Sequence, residues 1–235
     1  MKKLKELSLF FPAYNEEFNL KNTVEKAIPV LKSVAEKYEI LIINDGSKDK
    51  TQLVADDLAK KYSFIRVITH NPNRGYGGAF KSGIYNSKYE WITFTDADGQ
   101  FDFSEFPKLM EKQSETNADL VIGFYLKRAV GFMTVLTSKL WEALVFIMFG
   151  LKVTDIDCGF KLFRKKVVDT IPKLEAERGP FINSEFLIKA RSKDFKIVEI
   201  GVHHYPRKAG AATGRQLKVI LSGLKDLFKL RFGLK

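Results

Sequence analysis

Two carboxylates one residue apart carry the sharpest chemical signal in this sequence. They lie in Thr95-Asp96-Ala97-Asp98-Gly99-Gln100, directly behind the apolar run Trp91–Phe94. On an irregular turn, Asp side chains at i and i+2 can both reach one hard cation. Mg²⁺ or Mn²⁺ held by such oxygens, together with phosphate oxygens of a ligand, makes a common octahedral set. Three other arrangements share this spacing. An EF-hand loop read from Phe94 would lack its first carboxylate and would be entered from a strand. The Asp-x-Asp-Gly turn of aspartyl-nucleophile phosphatases usually opens its domain, whereas this one lies well inside the chain. The third is an Asp-rich turn that binds no metal.

Other candidates are weaker alone. Asn73-Arg74-Gly75-Tyr76-Gly77-Gly78 could cradle a phosphate, since glycines let backbone N–H groups approach oxyanions. Phe80 stands where a dinucleotide fingerprint needs its third glycine, and no Gly-Lys-Ser/Thr follows, so a tight turn into a helix explains the loop equally well. Asn44-Asp45-Gly46-Ser47 reads as a helix cap or a ligand turn. His203 and His204, adjacent at a strand end, point to opposite faces and suit structural hydrogen bonding better than chelation. No Gly-x-Ser-x-Gly elbow supports a nucleophilic hydrolase.

The elements that must position these residues follow from hydrophobic periodicity. Strands are expected at Leu7–Phe11, Ile40–Ile43, Ile65–Thr69, Trp91–Phe94, Leu120–Gly123 and Ile197–Val202, with helices at Glu17–Lys37, Thr51–Tyr62, Gly78–Ser87 and Ser104–Glu115. Such alternation predicts an α/β fold with a mostly parallel sheet, and the unbroken run Ile40–Ile43 suits a sheet covered on both faces. Ligands then sit beyond the carboxyl ends of the strands, which singles out Asn15, Asp45, Asn71, Asp96 and Asp98.

Later segments differ. Phe132–Phe149 holds 13 apolar residues in 18, with Lys139 and Glu142 inside, which suits a packed or interfacial helix better than a membrane span. In Gln216–Phe232, the residues Leu217, Ile220, Leu221, Leu224, Phe228 and Phe232 share one face of a basic amphipathic helix, which could dock on the core or on a membrane.

The chain has 235 residues, 45% of them apolar, a single cysteine (Cys158) and a net charge of +11. That composition excludes a disordered chain, a disulfide scaffold and a cysteine-rich zinc module. The charge favours anionic partners. No secretory leader is legible in Met1–Glu6, so a cytosolic compartment is expected.

In order, several blocks resemble the inverting nucleotide-sugar glycosyltransferases of family 2. These are Phe11-Pro12-Ala13-Tyr14-Asn15-Glu16-Glu17, Asn44 to Thr51, Asn73-Arg74-Gly75 with Gly78-Ala79 and Gly83, and Asp96 to Gln100. Asp155-Ile156-Asp157-Cys158-Gly159-Phe160-Lys161-Leu162-Phe163, Asn183-Ser184-Glu185 and His204-Tyr205-Pro206-Arg207 narrow this towards the polyprenyl-phosphate sugar synthases. The resemblance spans roughly residues 7 to 215.

It implies a GT-A fold with a nucleotide-binding half over 1–125, an acceptor half over 126–215 and a C-terminal helix over 216–235. It also implies sugar transfer from a UDP- or GDP-linked donor to a polyprenyl or dolichyl phosphate. A saccharide acceptor, or a non-catalytic nucleotide-binding module, is the alternative. Pro12, Tyr14, Glu16, Asp45, Gly75, Asp96, Ala97 and Lys208 would bind the donor nucleotide. Asp96, Asp98 and Gln100 would hold Mg²⁺ or Mn²⁺, and Arg207 would clamp the diphosphate. Asp157 would serve as base towards a hydroxyl acceptor. Arg128 and Lys127, with Lys139, would hold an acceptor phosphate. Asn44 stands where many relatives carry a second Asp. The sequence also ends at Lys235 without the membrane hairpins that many relatives append, which implies a peripheral enzyme on the cytoplasmic membrane face, or one working with a membrane partner and no nucleic acid.

Overall fold

The computed structural model describes residues 2–127, 132–207 and 217–233. Its long strand β1 (Leu4–Ala13) is flanked by β2 (Ala35–Asn44) and β4 (Trp91–Phe94). With β3 (Ile65–Thr69), β5 (Leu120–Tyr125), β6 (Lys161–Arg164) and β7 (Ile197–Val202), they form one seven-stranded sheet in the order β3-β2-β1-β4-β6-β5-β7. All pairings are parallel except those of β6, which runs antiparallel to both β4 and β5.

Alternation along each strand sends side chains to two separate cores. Leu7, Leu9 and Phe11 face one, Phe10 the other, and Ile40–Ile43 divide the same way. Helices α1 (Leu20–Val34), α2 (Thr51–Lys61) and α4 (Phe106–Thr116) cover the first face. The second is covered by α3 (Tyr76–Asn86), α5 (Phe132–Phe149), α6 (Lys165–Thr170), α7 (Phe181–Arg191) and α8 (Leu217–Phe232). The sheet is thus the mostly parallel, helix-flanked one expected, with both faces buried.

The elements depart from expectation in two places. The first helix is shorter than Glu17–Lys37, because Ala35–Glu39 pair in parallel with Leu4–Ser8 as the start of β2. Strand β6 and helices α6 and α7 were not anticipated. Helix α8 packs on the second core through Leu227, with Gly223 also buried, while Leu221, Phe228 and Phe232 of its apolar stripe are 56%, 45% and 63% exposed. Helix α5 likewise turns Leu136, Leu140, Phe146 and Ile147 outward. Among the described residues, no helix is long and apolar enough to cross a membrane.

The chain leaves β1 towards β2 and β3, then returns to β4 on the other side. Open α/β sheets leave a crevice at such a switch point, beyond the strands' carboxyl ends. The turns after β1 and β4 line it.

Candidate active site

The turns after β1 and β2 are laced together. Asn15, in the left-handed region at φ 55°, donates its N–H to Ser47 Oγ (2.9 Å) and accepts from the Lys48 N–H (2.8 Å). The Glu16 N–H bonds Thr51 Oγ1 at 2.8 Å, which fixes the Glu16 backbone against the start of α2. Pro12 is buried at the end of β1, and Tyr14 is partly buried in the turn that follows.

Asp45 is committed within the protein. Its Oδ1 meets His70 Nδ1 (2.6 Å) and the Arg74 N–H (2.9 Å), and its Oδ2 accepts from Asn73 Nδ2 and the Gly75 N–H, both at 2.8 Å. The glycine loop is therefore wrapped around a carboxylate of its own. The Gly78 N–H is also used, on Glu177 O at 2.9 Å, so these amides are not an open phosphate cradle. Gly75 opens α3 at φ 86°, a conformation that suits glycine. His70, which the motifs did not single out, extends the chain by bonding Ser82 Oγ through Nε2 at 2.8 Å. His70 reaches Asp45 only because β3 lies beside β2.

Across the crevice, the turn after β4 presents Asp96 and Asp98. Asp98 Oδ1 accepts from the Gln100 N–H (3.0 Å), and its Oδ2 accepts from Arg207 NH2 at 2.8 Å. Arg207 NH1 donates to Glu16 Oε1, also at 2.8 Å, so one guanidinium bridges the two turns. Arg207 Nε is buried without a hydrogen-bond partner among the described residues. Burial pushes the Glu16 carboxyl up, although Asn19 and Arg207 pull it down. Gln100 donates its side-chain amide to Tyr205 O at 2.9 Å, and the Ala97 carbonyl accepts from Thr23 Oγ1 at 3.3 Å.

Asp96 is pushed up to about 7, first by burial and then by the charge of Asp98. Its Oδ1 accepts from the Tyr76 hydroxyl at 3.3 Å. A Cβ on Gly159 would lie 2.3 Å from its Oδ2, so a larger residue there would push the carboxylate aside. Asp157 lies within electrostatic reach of Tyr76 and of the buried Lys161, at the same acidic end of the sheet. Tyr76 and Lys161 were not chosen as site residues from sequence.

Elsewhere, Lys127 is exposed just beyond β5, while Arg128 and Lys208 lie outside the described residues. Lys139 bonds Glu142 (2.6 Å) and Thr154 O (2.7 Å) within its own neighbourhood. His203 is structural as expected, bonded to Glu105 through both its N–H and Nδ1 at 2.8 Å. Among the described residues, no group of three or more His, Cys, Asp and Glu side chains could by itself hold a metal.

A mostly parallel sheet of this order, with an acidic turn at its switch point, has the architecture of the GT-A fold. The solved structure of glucosyl-3-phosphoglycerate synthase from Mycobacterium tuberculosis, in complex with Mn²⁺, UDP-glucose and glycerol 3-phosphate, superimposes with a TM-score of 0.73 at 18% identity, covering 98% of this chain and 81% of that one.

The family model "Glycosyl transferase family 2" matches residues 8–171, and the chain belongs to that family. It is 32% identical to the dolichyl-phosphate beta-glucosyltransferase of Dictyostelium discoideum, over 96% of this chain and 74% of that protein. To the human enzyme of the same name it is 33% identical, over 85% of this chain and 67% of that one. A dodecaprenyl-phosphate galacturonate synthase of Rhizobium johnstonii is 27% identical over 97% of this chain and 68% of its own length.

Proposed function

We propose that this enzyme transfers a sugar, with inversion, from a nucleoside-diphosphate sugar to a polyprenyl phosphate at a membrane surface, assisted by Mg²⁺ or Mn²⁺. The relatives' names support the acceptor class. The observation that carries the donor site is Arg207 bridging Glu16 and Asp98, with a buried Nε unsatisfied: a cation held at the switch point between the turns that would flank a nucleoside diphosphate.

The chain's own residues fit a divalent ion. Asp96 and Asp98 supply two hard oxygens on one turn, and among the described residues nothing donates to Asp96 Oδ2. Two protein carboxylates completed by donor oxygens and water suit Mg²⁺ or Mn²⁺ better than an all-protein cage would. When bound, the ion supplies Lewis-acid stabilisation of the departing diphosphate.

Pro12, Tyr14 and Glu16 line the nucleoside pocket in this reading. Asp45 acts by casting the Asn73–Gly75 loop rather than by offering a free carboxylate. Arg207 transfers its contacts from the acids to the diphosphate, with Lys208 nearby. A lipid phosphate is already an anion and needs no strong base, whereas a hydroxyl acceptor would call on Asp157. Lys127 and Arg128 take the acceptor phosphate, in the half of the chain after residue 125.

The outward apolar faces of α5 and α8 support a membrane contact. Exposed contiguous apolar surface beside basic residues is what an interfacial helix presents to an anionic bilayer, and Lys225, Lys229 and Arg231 lie on the exposed side of α8.

The test presents labelled UDP- and GDP-sugars with Mn²⁺ to undecaprenyl phosphate in anionic vesicles, and in parallel to soluble saccharides. A glycolipid product that is lost in Asp98→Ala is the expected result. Label appearing only on saccharides would overturn the acceptor assignment, and no transfer from any donor by folded protein would overturn the donor site.

A further inference from the structure

We infer that Glu105 is a positioning residue for Arg207. It fastens the extended segment His203–Arg207, which leaves β7, and so holds the guanidinium at the crevice before any ligand arrives. The inference rests on the reading of Arg207 as the clamp of the donor diphosphate.

The segment starts where the sheet stops. β7 ends at Val202, paired with Tyr125, and the chain then runs outside any regular element to Arg207. Five residues in extended form reach at most about 18 Å, so this stretch alone carries the guanidinium from the sheet to the turns after β1 and β4. Pro206 has no N–H, and a residue before proline is biased to extended conformations, which stiffens Tyr205–Pro206. Sterics do not place the segment, however, and His203, Tyr205 and Pro206 are exposed.

Lateral bonds place it, and they fall on alternate residues. His203 donates its N–H to Glu105 Oε2 and, since a carboxylate only accepts, its Nδ1–H to Glu105 Oε1, both at 2.8 Å. Tyr205 donates its N–H to Gln100 O (2.8 Å), and its carbonyl accepts from Gln100 Nε2 (2.9 Å). Arg207 closes the series on Glu16 and Asp98. Between the first two ties, the His204 ring packs 5.4 Å from the centroid of Phe101 and 4.6 Å from that of Tyr125.

Glu105 is the anchor that stands apart from the crevice. It ends the short helical turn Phe103–Glu105 ahead of α4, and it is 8% exposed. That turn does not itself ask for a carboxylate there: Asp102 caps it through the Ser104 N–H, and the Glu105 N–H is taken by Asp102 O. What the Glu105 carboxylate reaches is Lys108 and, across 98 positions of sequence, His203. Bonds to an ionised acceptor are among the stronger kinds. These ties hold residues 203 and 205 and leave the Arg207 side chain to exchange partners. The guanidinium can therefore pass from the acids to a diphosphate while its backbone stays in place. Ordering of the segment is met before binding rather than during it.

The test compares wild type, Glu105→Ala, Glu105→Gln, Arg207→Ala and the Glu105→Ala/Arg207→Ala double variant, all as the full chain. Amide exchange of the peptide over residues 202–207, read by mass spectrometry without ligand, should quicken roughly tenfold in Glu105→Ala and less in Glu105→Gln, which keeps one acceptor. Transfer from UDP- and GDP-sugars with Mn²⁺ to undecaprenyl phosphate gives the second readout. Its turnover should fall roughly tenfold in Glu105→Ala, recover in part in Glu105→Gln, and change less than about twofold when Glu105→Ala is added to Arg207→Ala. Should Glu105→Ala not fold, Glu105→Gln carries the same comparison. Unchanged exchange, a loosened segment with full turnover, or losses that multiply in the double variant would each overturn the positioning role. If wild type transfers no sugar, or Arg207→Ala turns over like wild type, the clamp reading fails and the inference with it, while exchange still reports whether Glu105 ties the segment.

Discussion

Removing the Arg207 guanidinium should harm stability and activity together, with a pH signature that identifies the cause. Its partners are buried carboxylates: the Glu16 and Asp98 side chains are each 7% exposed, against 22% for Arg207. Removing one partner from a buried pair costs about 3–5 kcal/mol. The lower end applies here, because Arg207 is partly solvated and the stranded acids can take up protons. About 3 kcal/mol in a chain of this size lowers Tm by roughly 6–12 °C.

The sign follows from Glu16, whose carboxyl burial already pushes above its ordinary 4.5. In Arg207→Ala it rises further. The folded variant then binds a proton that the unfolded chain lacks over the same range, so the penalty is full above the folded value and fades as pH falls towards 4.5. Melting curves of metal-free protein should therefore separate widely at pH 8 and narrowly at pH 5. Arg207→Lys should recover part of the loss, since one ammonium cannot fork to both acids. Turnover should fall roughly 10²-fold, as for a lost oxyanion donor. Equal Tm differences at the two pH values, or turnover within threefold of wild type, would refute the argument.

Asp96→Asn should abolish transfer yet raise the Tm of metal-free protein at pH 8. Asp96 stands at about 7 in the fold against an ordinary 3.8, so its ionisation costs stability across that window and fully above it; no gain at pH 8 in EDTA would contradict this. Gly159→Ala places a methyl 2.3 Å from Asp96 Oδ2 and should weaken Mn²⁺ uptake more than tenfold with little change in UDP binding, read by calorimetry. His70→Phe strands Asp45 and Ser82 and should cost about 2–3 kcal/mol by denaturant titration while raising the donor KM; a donor KM that does not move would detach His70 from the site.

The sheet was legible where strands are continuous apolar runs, and Ile65–Thr69, Trp91–Phe94 and Ile197–Val202 fall where periodicity puts them. β6 was hidden because it has four residues and opens on a lysine, which reads as a loop unless its burial is known. α7 was hidden for the opposite reason. Phe181 to Ala190 are all buried, Asn183, Ser184, Glu185 and Lys189 included, so no polar face marks a helical period. For α8 the period shows which residues share a face and not what that face meets, so docking on the core and docking on a membrane were equally legible.

The acids of the site were visible because Asp96 and Asp98 are two residues apart. What balances them was not, since those partners come from distant strands and helices. Asp98 shares Arg207 with Glu16, a residue 191 positions from that arginine. Asp45 is hydrogen-bonded by two backbone amides, an asparagine and His70, and Asp96 is reached by Tyr76. These arrangements differ in what a ligand could displace. The bonds to Asp45 tie the turn after β2 to the Asn73–Gly75 segment, so they fix a loop. Arg207 is the partly solvated cation, and an anionic diphosphate arriving with its own metal ion would offer it equivalent contacts. The proton affinity of Asp96 rises because it is buried and faces the charge of Asp98. A dication between Asp96 and Asp98 would therefore relieve the repulsion that raises Asp96.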